Sequence, residues 1–191
     1  MKLKYEKISN ENIIIATKIQ FEIFPNSSAY AKYLNEIKDN DNLPINFLVY
    51  YKGEPIGVVG LYDIPKYKDT IWLSWFGVIE KYRHKGFGSQ ILKDAIIIAK
   101  KYDKKFLRLF TYEVWNEESQ EFYKKHMQIE EYYTNSEDDQ YDIEVGKCKI
   151  FGYSLCDEKI DYWNNKFIDI ASDDNVHEES IILMKKDGII E

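Results

Sequence analysis

The sequence has 191 residues, of which 45% are hydrophobic and 31% are charged, and this balance is ordinary for one globular domain. Its formal net charge of −7 argues against a general binder of nucleic acid or of anionic membranes, and it mildly favours cationic substrates. The two cysteines, Cys148 and Cys156, show neither metal-ligand spacing nor a disulfide framework. No run is apolar enough for a signal peptide or a membrane span, so we expect a cytoplasmic protein without a metal.

The first sixty residues predict a strand, two helices and a pair of strands. Apolar side chains recur at helical spacing after candidate capping residues, and Pro25 separates the two helices. A short turn at Lys52–Pro55, with Gly53 placed for positive φ, joins the two later strands. The predicted elements are a strand over 2–8, helices over 11–24 and 27–38, and strands over 47–51 and 56–61.

The stretch Ile71–Lys101 organises the rest of the chain. A β-prone run over Ile71–Val78 leads through a basic, glycine-containing turn, Arg83–Gly88, into an amphipathic helix that we expect to begin at Ser89. Glycines let the backbone approach a phosphate without a Cβ atom in the way, and the first N–H groups of a helix point at whatever lies there. The layout therefore predicts a pyrophosphate site; a glycine turn that merely ends a strand is the alternative.

The turn lacks the patterns of a P-loop and of a dinucleotide-binding fold. Its own pattern, Val78-x-x-x-Tyr82-Arg83-x-Lys85-Gly86-x-Gly88-x-x-x-Leu92, resembles motif A of the GNAT acyltransferases. In that family the turn takes the pyrophosphate of coenzyme A, and main-chain groups on the preceding strand contact the pantetheine arm. The resemblance thus implies acetyl-CoA as co-substrate and a coenzyme-binding set of Phe76, Val78, Arg83, His84, Lys85, Gly86, Phe87, Gly88 and Ser89, with Asn116 further on.

The second half of the chain continues the alternation. The predicted elements are a strand over 105–111, a helix over 116–126, strands over 129–133 and 147–155, a short helix or loop over 156–165 and a terminal strand over 180–186. The last of these, Ser180–Lys186, is similar to the Leu-Met-x-Lys ending of many GNAT members.

A second motif follows the strand over 105–111. The run Asn116-Glu117-Glu118-Ser119-Gln120-Glu121-Phe122-Tyr123 resembles motif B of the same family, Asn-x-x-Ala-x-x-Leu-Tyr. In the family, the tyrosine at the position of Tyr123 lies near the coenzyme sulfur and often acts as general acid. The alternative is an amphipathic helix whose aromatic residues simply pack. The chain departs from the family after Lys125, where His126-Met127 replaces the usual continuation to Gly-Phe.

The general base is less well specified by the sequence. Many relatives carry a carboxylate on the strand that corresponds to Ile71–Val78, but this strand has only Ser74 as a comparable polar residue. Glu113, just past the following strand, is the candidate, with an ordinary solvent-accessible loop carboxylate as the alternative reading. A chain of water molecules is a further possibility.

The resemblance implies an α/β (α+β) fold with a mixed, twisted central sheet flanked by helices. We expect one acyltransferase domain over residues 1–191, with an enlarged insertion over 134–179 before the last strand. This insertion and the segment Phe24–Tyr33 are expected to line the substrate entrance, where tyrosines and carboxylates would suit a cationic amine. Solvated loop surface is the alternative reading of the acidic clusters, and a homodimer remains open.

Three functions are consistent with these observations. The first is transfer of an acetyl group from acetyl-CoA to a primary amine, either a small molecule or a peptide α-amine, by direct attack in a ternary complex. The second is a catalytically silent regulatory domain that binds acyl-CoA. The third is an interaction module whose glycine turn binds nothing. Turnover with a panel of amines separates the first two, and coenzyme binding separates both from the third.

Overall fold

A computed structural model of the chain describes residues 2–37, 42–111, 116–134, 147–160 and 176–191. Over these ranges there are seven strands: β1 (Lys4–Lys7), β2 (Ile45–Tyr51), β3 (Glu54–Asp63), β4 (Thr70–Val78), β5 (Phe106–Thr111), β6 (Ile129–Thr134) and β7 (Lys147–Ser154). The same ranges contain five α-helices: α1 (Ile13–Ile23), α2 (Tyr30–Glu36), α3 (Phe87–Ala99), α4 (Glu117–His126) and α5 (Val176–Lys186). A 3₁₀ turn spans Glu80–Tyr82.

The strands form one sheet in the order β1-β2-β3-β4-β5-β7-β6. β1 and β2, β2 and β3, β5 and β7, and β6 and β7 pair antiparallel, whereas β4 and β5 pair parallel. A mostly antiparallel sheet with one parallel pair and flanking helices confirms the expected mixed α/β fold.

The chain divides into two compact units. Unit 1 consists of residues 1–62, 74–95 and 171–191, and unit 2 consists of residues 63–73 and 96–170. Unit 1 therefore contains α1, α2, α5, β1, β2, most of β3, the second part of β4 and the start of α3. Unit 2 contains the first part of β4, the end of α3, β5, α4, β6 and β7. Within the described ranges, no helix is long and apolar enough to cross a membrane.

In unit 1 the helices α1 and α2 bury one face each. The buried residues of α1 recur at three- and four-residue spacing, as the amphipathic pattern predicts. Gln20 is fully buried among them, and its Oε1 accepts a hydrogen bond of 2.9 Å from the main-chain N–H of Ala29. This bond satisfies a buried polar group and fixes the connection between the two helices.

In unit 2 the core forms around β5 and β7, whose register pairs Phe106 with Ser154 and Thr111 with Lys149. Arg108 is buried on β5, and its guanidinium donates a hydrogen bond of 2.7 Å to Thr70 Oγ1. Fully buried apolar side chains of this unit include Trp72, Leu107, Ile150 and Phe151.

The terminal strand predicted over Ser180–Lys186 is wrong, because these residues form the end of helix α5. Ser180 and Met184, four residues apart, are both fully buried, whereas Ile182 between them is 67% exposed. That spacing is helical, and acidic residues in the first turn with lysines in the last turn favour the helix dipole. A short apolar run such as Ile181–Met184 does not distinguish a helix from a strand by its pattern alone.

The interval 134–179, expected to be an insertion before the last strand, is described only in part. It contains β7, which lies between β5 and β6 in the sheet, so the last strand of the described chain falls inside the expected insertion rather than after it. Residues 135–146 and 161–175 lie outside the described residues. The acidic stretch 136–140 falls in the first of these two segments.

Helix α5 is held against the start of α2 by buried polar contacts. The Ser180 hydroxyl accepts a hydrogen bond of 2.9 Å from Ala31 N–H and donates one of 3.1 Å to the carbonyl of Ser28. Tyr30 donates a hydrogen bond of 2.7 Å to the Asp187 carboxylate, just after the helix. These contacts give α5 one defined orientation on α2.

We predict that Ser180→Ala lowers the free energy of unfolding by about 1–3 kcal/mol, because a buried N–H and a buried carbonyl each lose their partner. Chemical denaturation monitored by circular dichroism measures the change. The matched control is Ile182→Ser, two residues away on the exposed face, which should change stability by less than about 0.5 kcal/mol. Equal losses in the two variants would contradict the helical assignment, since residues two apart share a face only in a strand.

Candidate functional site

The turn between β4 and α3 has an irregular backbone. His84 has φ of +57° and Gly86 has φ of +82°, so two left-handed residues lie within four positions. A Cβ atom on Gly86 would meet nothing within 4 Å, and the glycine is therefore needed for its conformation rather than for space. The main chain of Arg83–Gly86 is bent so that the chain can enter the helix directly after Gly86.

Helix α3 begins two residues earlier than the predicted Ser89. The first helical bond runs from Gln90 N–H to the carbonyl of Gly86, at 3.1 Å, and Phe87 is the first helical residue. Gly88 and Ser89 therefore lie in the first turn of the helix. The N–H groups of a first turn are not used by the helix itself and carry its positive dipole end, so this turn suits an anion.

Three aromatic rings anchor the turn on both sides. Phe87 is only 4% exposed, and its ring centroid lies 5.3 Å from that of Tyr82 and 4.8 Å from that of Tyr51. Tyr51 and Tyr82 also meet edge-on at 6.3 Å. The Phe87 side chain is thus part of the core, so any contact of Phe87 with a ligand at the turn would come from its main chain.

The basic side chains of the turn are exposed. Arg83 uses its Nε atom to donate a hydrogen bond of 3.0 Å to the carbonyl of Val78, at the end of β4. Lys85 folds back and donates through Nζ to the carbonyl of Lys81, at 2.7 Å. Arg83, His84 and Lys85 all lie at the surface on one short segment, which concentrates positive charge beside the start of α3.

Glu54, at the start of β3, is the acidic residue that touches this region. Its Oε2 accepts hydrogen bonds from the Tyr82 hydroxyl and from Lys81 Nζ, the latter at 2.9 Å. These contacts, the Tyr82 hydrogen bond first, lower the pKa of Glu54, and the same hydrogen bond raises the pKa of Tyr82. The Glu54 carboxylate therefore faces Lys81 and Tyr82, which directly precede the basic residues Arg83–Lys85 in the chain.

Strand β4 leads into the turn and has an irregularity of its own. Its parallel ladder with β5 joins Thr70–Trp72 to Phe106–Arg108, and Trp75 then has φ of +45°, a genuine exception for a bulky residue. The Trp75 ring packs edge-on against Phe24 at 5.8 Å. Its buried Nε1 has no hydrogen-bond partner among the described residues. Strained residues and unsatisfied donors of this kind concentrate at functional sites, and the sequence carries no signal for this one.

Phe76 and Val78, the strand residues expected to present main-chain groups to a ligand, follow Trp75 directly. The Val78 side chain is buried, and Phe76 is half-buried. Between them, a Cβ atom on Gly77 would lie 2.4 Å from Ile23 Cγ2, so glycine is required where α1 packs on the strand. The strand therefore holds its position beside α1 while its main chain continues to the turn.

In unit 2, Asn116 and Tyr123 lie at opposite ends of one short helix. Asn116 is the N-cap of α4: its Oδ1 accepts a hydrogen bond of 3.1 Å from Ser119 N–H, and the Ser119 hydroxyl donates to the Asn116 carbonyl at 3.0 Å. Tyr123 is half-buried, and its ring centroid is 5.2 Å from that of Phe151 on β7. The predicted helix is thus confirmed, and the structure adds a capping role for Asn116, a residue type favoured at this position.

The departure from the family pattern after Lys125 has a local solution. Helix α4 ends at His126, and Met127 follows in extended conformation with its side chain buried. Gln128 then donates its main-chain N–H to the carbonyl of Gly152 at 2.8 Å, which starts β6. Helix end and strand entry are therefore made without a glycine.

Glu113, the predicted general base, lies outside the described residues. Among the residues that the structure does describe, no three His, Cys, Asp or Glu side chains are grouped so as to hold a metal ion. The predicted site residues that remain are the contiguous set on β4, the turn and α3 in unit 1, and Asn116 and Tyr123 on α4 in unit 2.

Comparison with known families gives one clear match. The model of the acetyltransferase (GNAT) family matches residues 13–127, more than half of the chain. A search of curated proteins gave no significant match.

Solved structures share the fold at low sequence identity. A GNAT family acetyltransferase from Elizabethkingia anophelis with acetyl-CoA bound is 20% identical, with a TM-score of 0.59 over 80% of this chain and 97% of that one. A spermidine N-acetyltransferase SpeG chimera from Vibrio cholerae and hSSAT is 16% identical, with a TM-score of 0.63 over 81% and 96%. An Arabidopsis thaliana protein in complex with the bisubstrate analogue CoA-Ac-MVNAL is 20% identical, with a TM-score of 0.61 over 81% and 99%.

His126 gives a pH-dependent prediction for unit 2. Burial first, and then the neighbouring Lys125, lower the pKa of His126, whose ring lies 4.6 Å from that of Phe122. As the pH falls below about 6.5, the unfolded chain binds this proton more readily than the folded chain, so stability decreases. We expect His126→Gln to lose less stability than the wild type between pH 7.5 and pH 5, as measured by urea unfolding. Parallel losses in the two proteins would contradict the prediction.

Proposed function

The chain belongs to the acetyltransferase (GNAT) family, and we propose that it is an acetyl-CoA-dependent N-acetyltransferase that acetylates a primary amine. The observation that carries the proposal is the exposed basic turn Arg83–Gly86, with left-handed His84 and Gly86, directly before α3. A pyrophosphate carries negative charge and needs close approach of main-chain donors, and this turn offers both.

The phosphates of coenzyme A are proposed to bind at this turn. Arg83, His84 and Lys85 supply positive charge, and Arg83 is oriented by its bond to the Val78 carbonyl. The first turn of α3 supplies main-chain N–H groups from Phe87, Gly88 and Ser89. Lys85 would exchange its present contact with the Lys81 carbonyl for a phosphate oxygen.

The pantetheine arm runs along β4 in the proposal, with main-chain contacts from Phe76 and Val78. The support is that the phosphate turn directly follows this strand, so an arm that extends from the phosphates along β4 passes Val78 first and Phe76 next. The N-cap of α4, Asn116, is a further candidate coenzyme contact from unit 2.

The reaction requires a neutral amine. Its nitrogen attacks the thioester carbon, a C–N bond forms, and the C–S bond breaks as the electron pair leaves with sulfur. The nitrogen loses a proton, and the departing thiolate gains one, which we assign to the Tyr123 hydroxyl. A thiolate is a stable leaving group, so Tyr123 assists rather than being indispensable. Glu113 stays the candidate general base, since a carboxylate is a suitable acceptor for the amine proton.

The proposed acceptor is a primary amine, either a small molecule or a peptide α-amine. The chain's net charge of −7 favours a cationic substrate in its encounter with the protein. Structurally similar proteins are named for acetylation of spermidine or were solved with a peptide-based bisubstrate analogue. Both a small polyamine and a peptide α-amine therefore belong in the first substrate panel. Binding of acetyl-CoA without turnover of any amine would favour a silent regulatory domain instead.

Substitutions in the glycine turn test the coenzyme assignment. Gly86→Val and Gly88→Val should each weaken coenzyme A binding at least about tenfold in calorimetry, because a branched side chain strains the left-handed residue or crowds the phosphate. Gly188→Ala is the matched control for strain: this residue also has positive φ, +67°, in open space, but it follows α5. Coenzyme affinity that is unchanged in folded Gly86→Val and Gly88→Val proteins would refute the assignment.

A substitution at Tyr123 tests acid catalysis. Tyr123→Phe removes one hydroxyl and keeps the ring that packs on Phe151, so turnover should fall by about 10–10³-fold while coenzyme affinity barely changes. Tyr153→Phe, on β7 of the same unit, is the control and should keep wild-type turnover. If Tyr123→Phe is fully active across the pH range, Tyr123 is a packing residue.

A further inference from the structure

Three residues on adjacent strands of unit 1 converge at one point of the sheet. Asn46 on β2 is in register with Gly60 on β3, and Ser74 on β4 lies on the other side of the glycine. A Cβ atom on Gly60 would be 2.2 Å from Asn46 Oδ1 and 2.6 Å from Ser74 Oγ. The two oxygens therefore face the same point above residue 60. Only glycine, which has no Cβ atom, leaves room for both of them at this position.

The Asn46 amide is oriented by a carboxylate behind it. Its Nδ2 donates a hydrogen bond to Glu36 Oε2, at the end of α2. Because an ionised carboxylate only accepts hydrogen bonds, the amide nitrogen must face Glu36, and the amide oxygen is left facing Gly60. Glu36 Oε1 is also 4.0 Å from Lys32 Nζ, one turn earlier on the helix.

Neither oxygen has a hydrogen-bond partner among the residues that the structure describes. The described residues supply no hydrogen-bond donor to Asn46 Oδ1 or to Ser74 Oγ, although Asn46 is only 7% exposed and Ser74 is half-buried. Polar oxygens in such surroundings are normally satisfied. A group with several N–H donors would satisfy both oxygens at once, and the negative charge of Glu36 nearby favours a cationic one.

The position of Ser74 on β4 connects this pair of oxygens to the proposed chemistry. Ser74 precedes the irregular Trp75 and lies two residues before Phe76. If the phosphates bind at the turn after Val78 and the arm runs back along β4, the arm passes Val78 and Phe76 and then the irregular Trp75 before it reaches Ser74. In this inference the thioester end of the coenzyme lies at the level of Ser74.

We propose that Asn46 Oδ1 and Ser74 Oγ form the subsite that holds the nitrogen of the amine substrate, with Glu36 as the positioning residue that orients Asn46. The inference rests on the proposed N-acetyltransferase function and deepens it by assigning the amine subsite. The two oxygens accept N–H groups and take no proton themselves. Substrates with a primary ammonium or amine fit this pair, whereas hydroxyl, thiol and anionic acceptors supply too few donors or the wrong charge.

A purely structural role for the same contacts has different consequences. If Asn46 and Glu36 serve only to tie β2 to α2, removing them lowers stability and leaves the Michaelis constant of the amine unchanged in the folded enzyme. If they form the subsite, the Michaelis constant rises while coenzyme affinity stays the same. Kinetics and coenzyme binding in the same variants therefore separate the two roles.

The test uses the full chain with spermidine and with a pentapeptide that has a free α-amine. Gly60→Ala places a methyl group between the two oxygens, and Ser74→Ala removes one of them; each should raise the KM of the amine about tenfold with the Kd for coenzyme A unchanged. Glu36→Gln keeps an oxygen facing Asn46, so its KM should lie between those of the wild type and Glu36→Met. Lys32→Met is the control for the other partner of Glu36 and should match the wild type.

A binding measurement keeps this inference separable from the function itself. In the coenzyme A complex, spermidine should shift the side-chain amide resonances of Asn46 saturably, and Gly60→Ala should abolish the shift. Wild-type protein that shows the shift but acetylates no amine would overturn the proposed function and retain the subsite. Normal KM values in Gly60→Ala and Ser74→Ala, or no Asn46 shift in an active wild type, would overturn the subsite and retain the function.

Discussion

The packing of aromatic rings around an exposed turn is the constraint on which the proposed coenzyme site depends. Tyr82 precedes the turn and Phe87 follows it, and both rings meet the ring of Tyr51 at the end of β2. Buried contacts on both sides allow the polar residues between them to remain at the surface without losing their conformation. Binding a phosphate on such a turn costs little ordering entropy, because its backbone is already held in the left-handed conformation at Gly86.

Much of the fold follows from the sequence because its periodicities are long and consistent. Helix α1 and strand β4 each show one pattern over nine or more residues, and the structure confirms both. The sequence does not predict helix α5, because Ile181–Met184 is a short apolar run whose helical register is evident only from the buried Ser180 and Met184. Local patterns do not reveal which neighbours a segment will have.

The candidate site likewise contains some residues that the sequence predicts and others that it does not. The turn residues are contiguous, so one motif is enough to find them, whereas the capping role of Asn116 is evident only in the structure. The oxygen pair over Gly60 comes from different strands, and Glu36 comes from a helix, so no spacing in the sequence brings them together. The left-handed Trp75 has no sequence signal either, since a tryptophan in a β-prone run predicts regular extended backbone.

The docking of α5 on α2 has a consequence for the order in which the protein can be assembled during synthesis. The buried hydroxyl of Ser180 completes hydrogen bonds for Ser28 and Ala31, which are translated about 150 residues before it. When α1 and α2 have left the ribosome, α5 has not yet been synthesised. The main-chain groups of Ser28 and Ala31, and the apolar surface around them, therefore lack their partner until α5 emerges. This long-range closure means that the N-terminal helices reach their final packing only after the C-terminal helix has been synthesised.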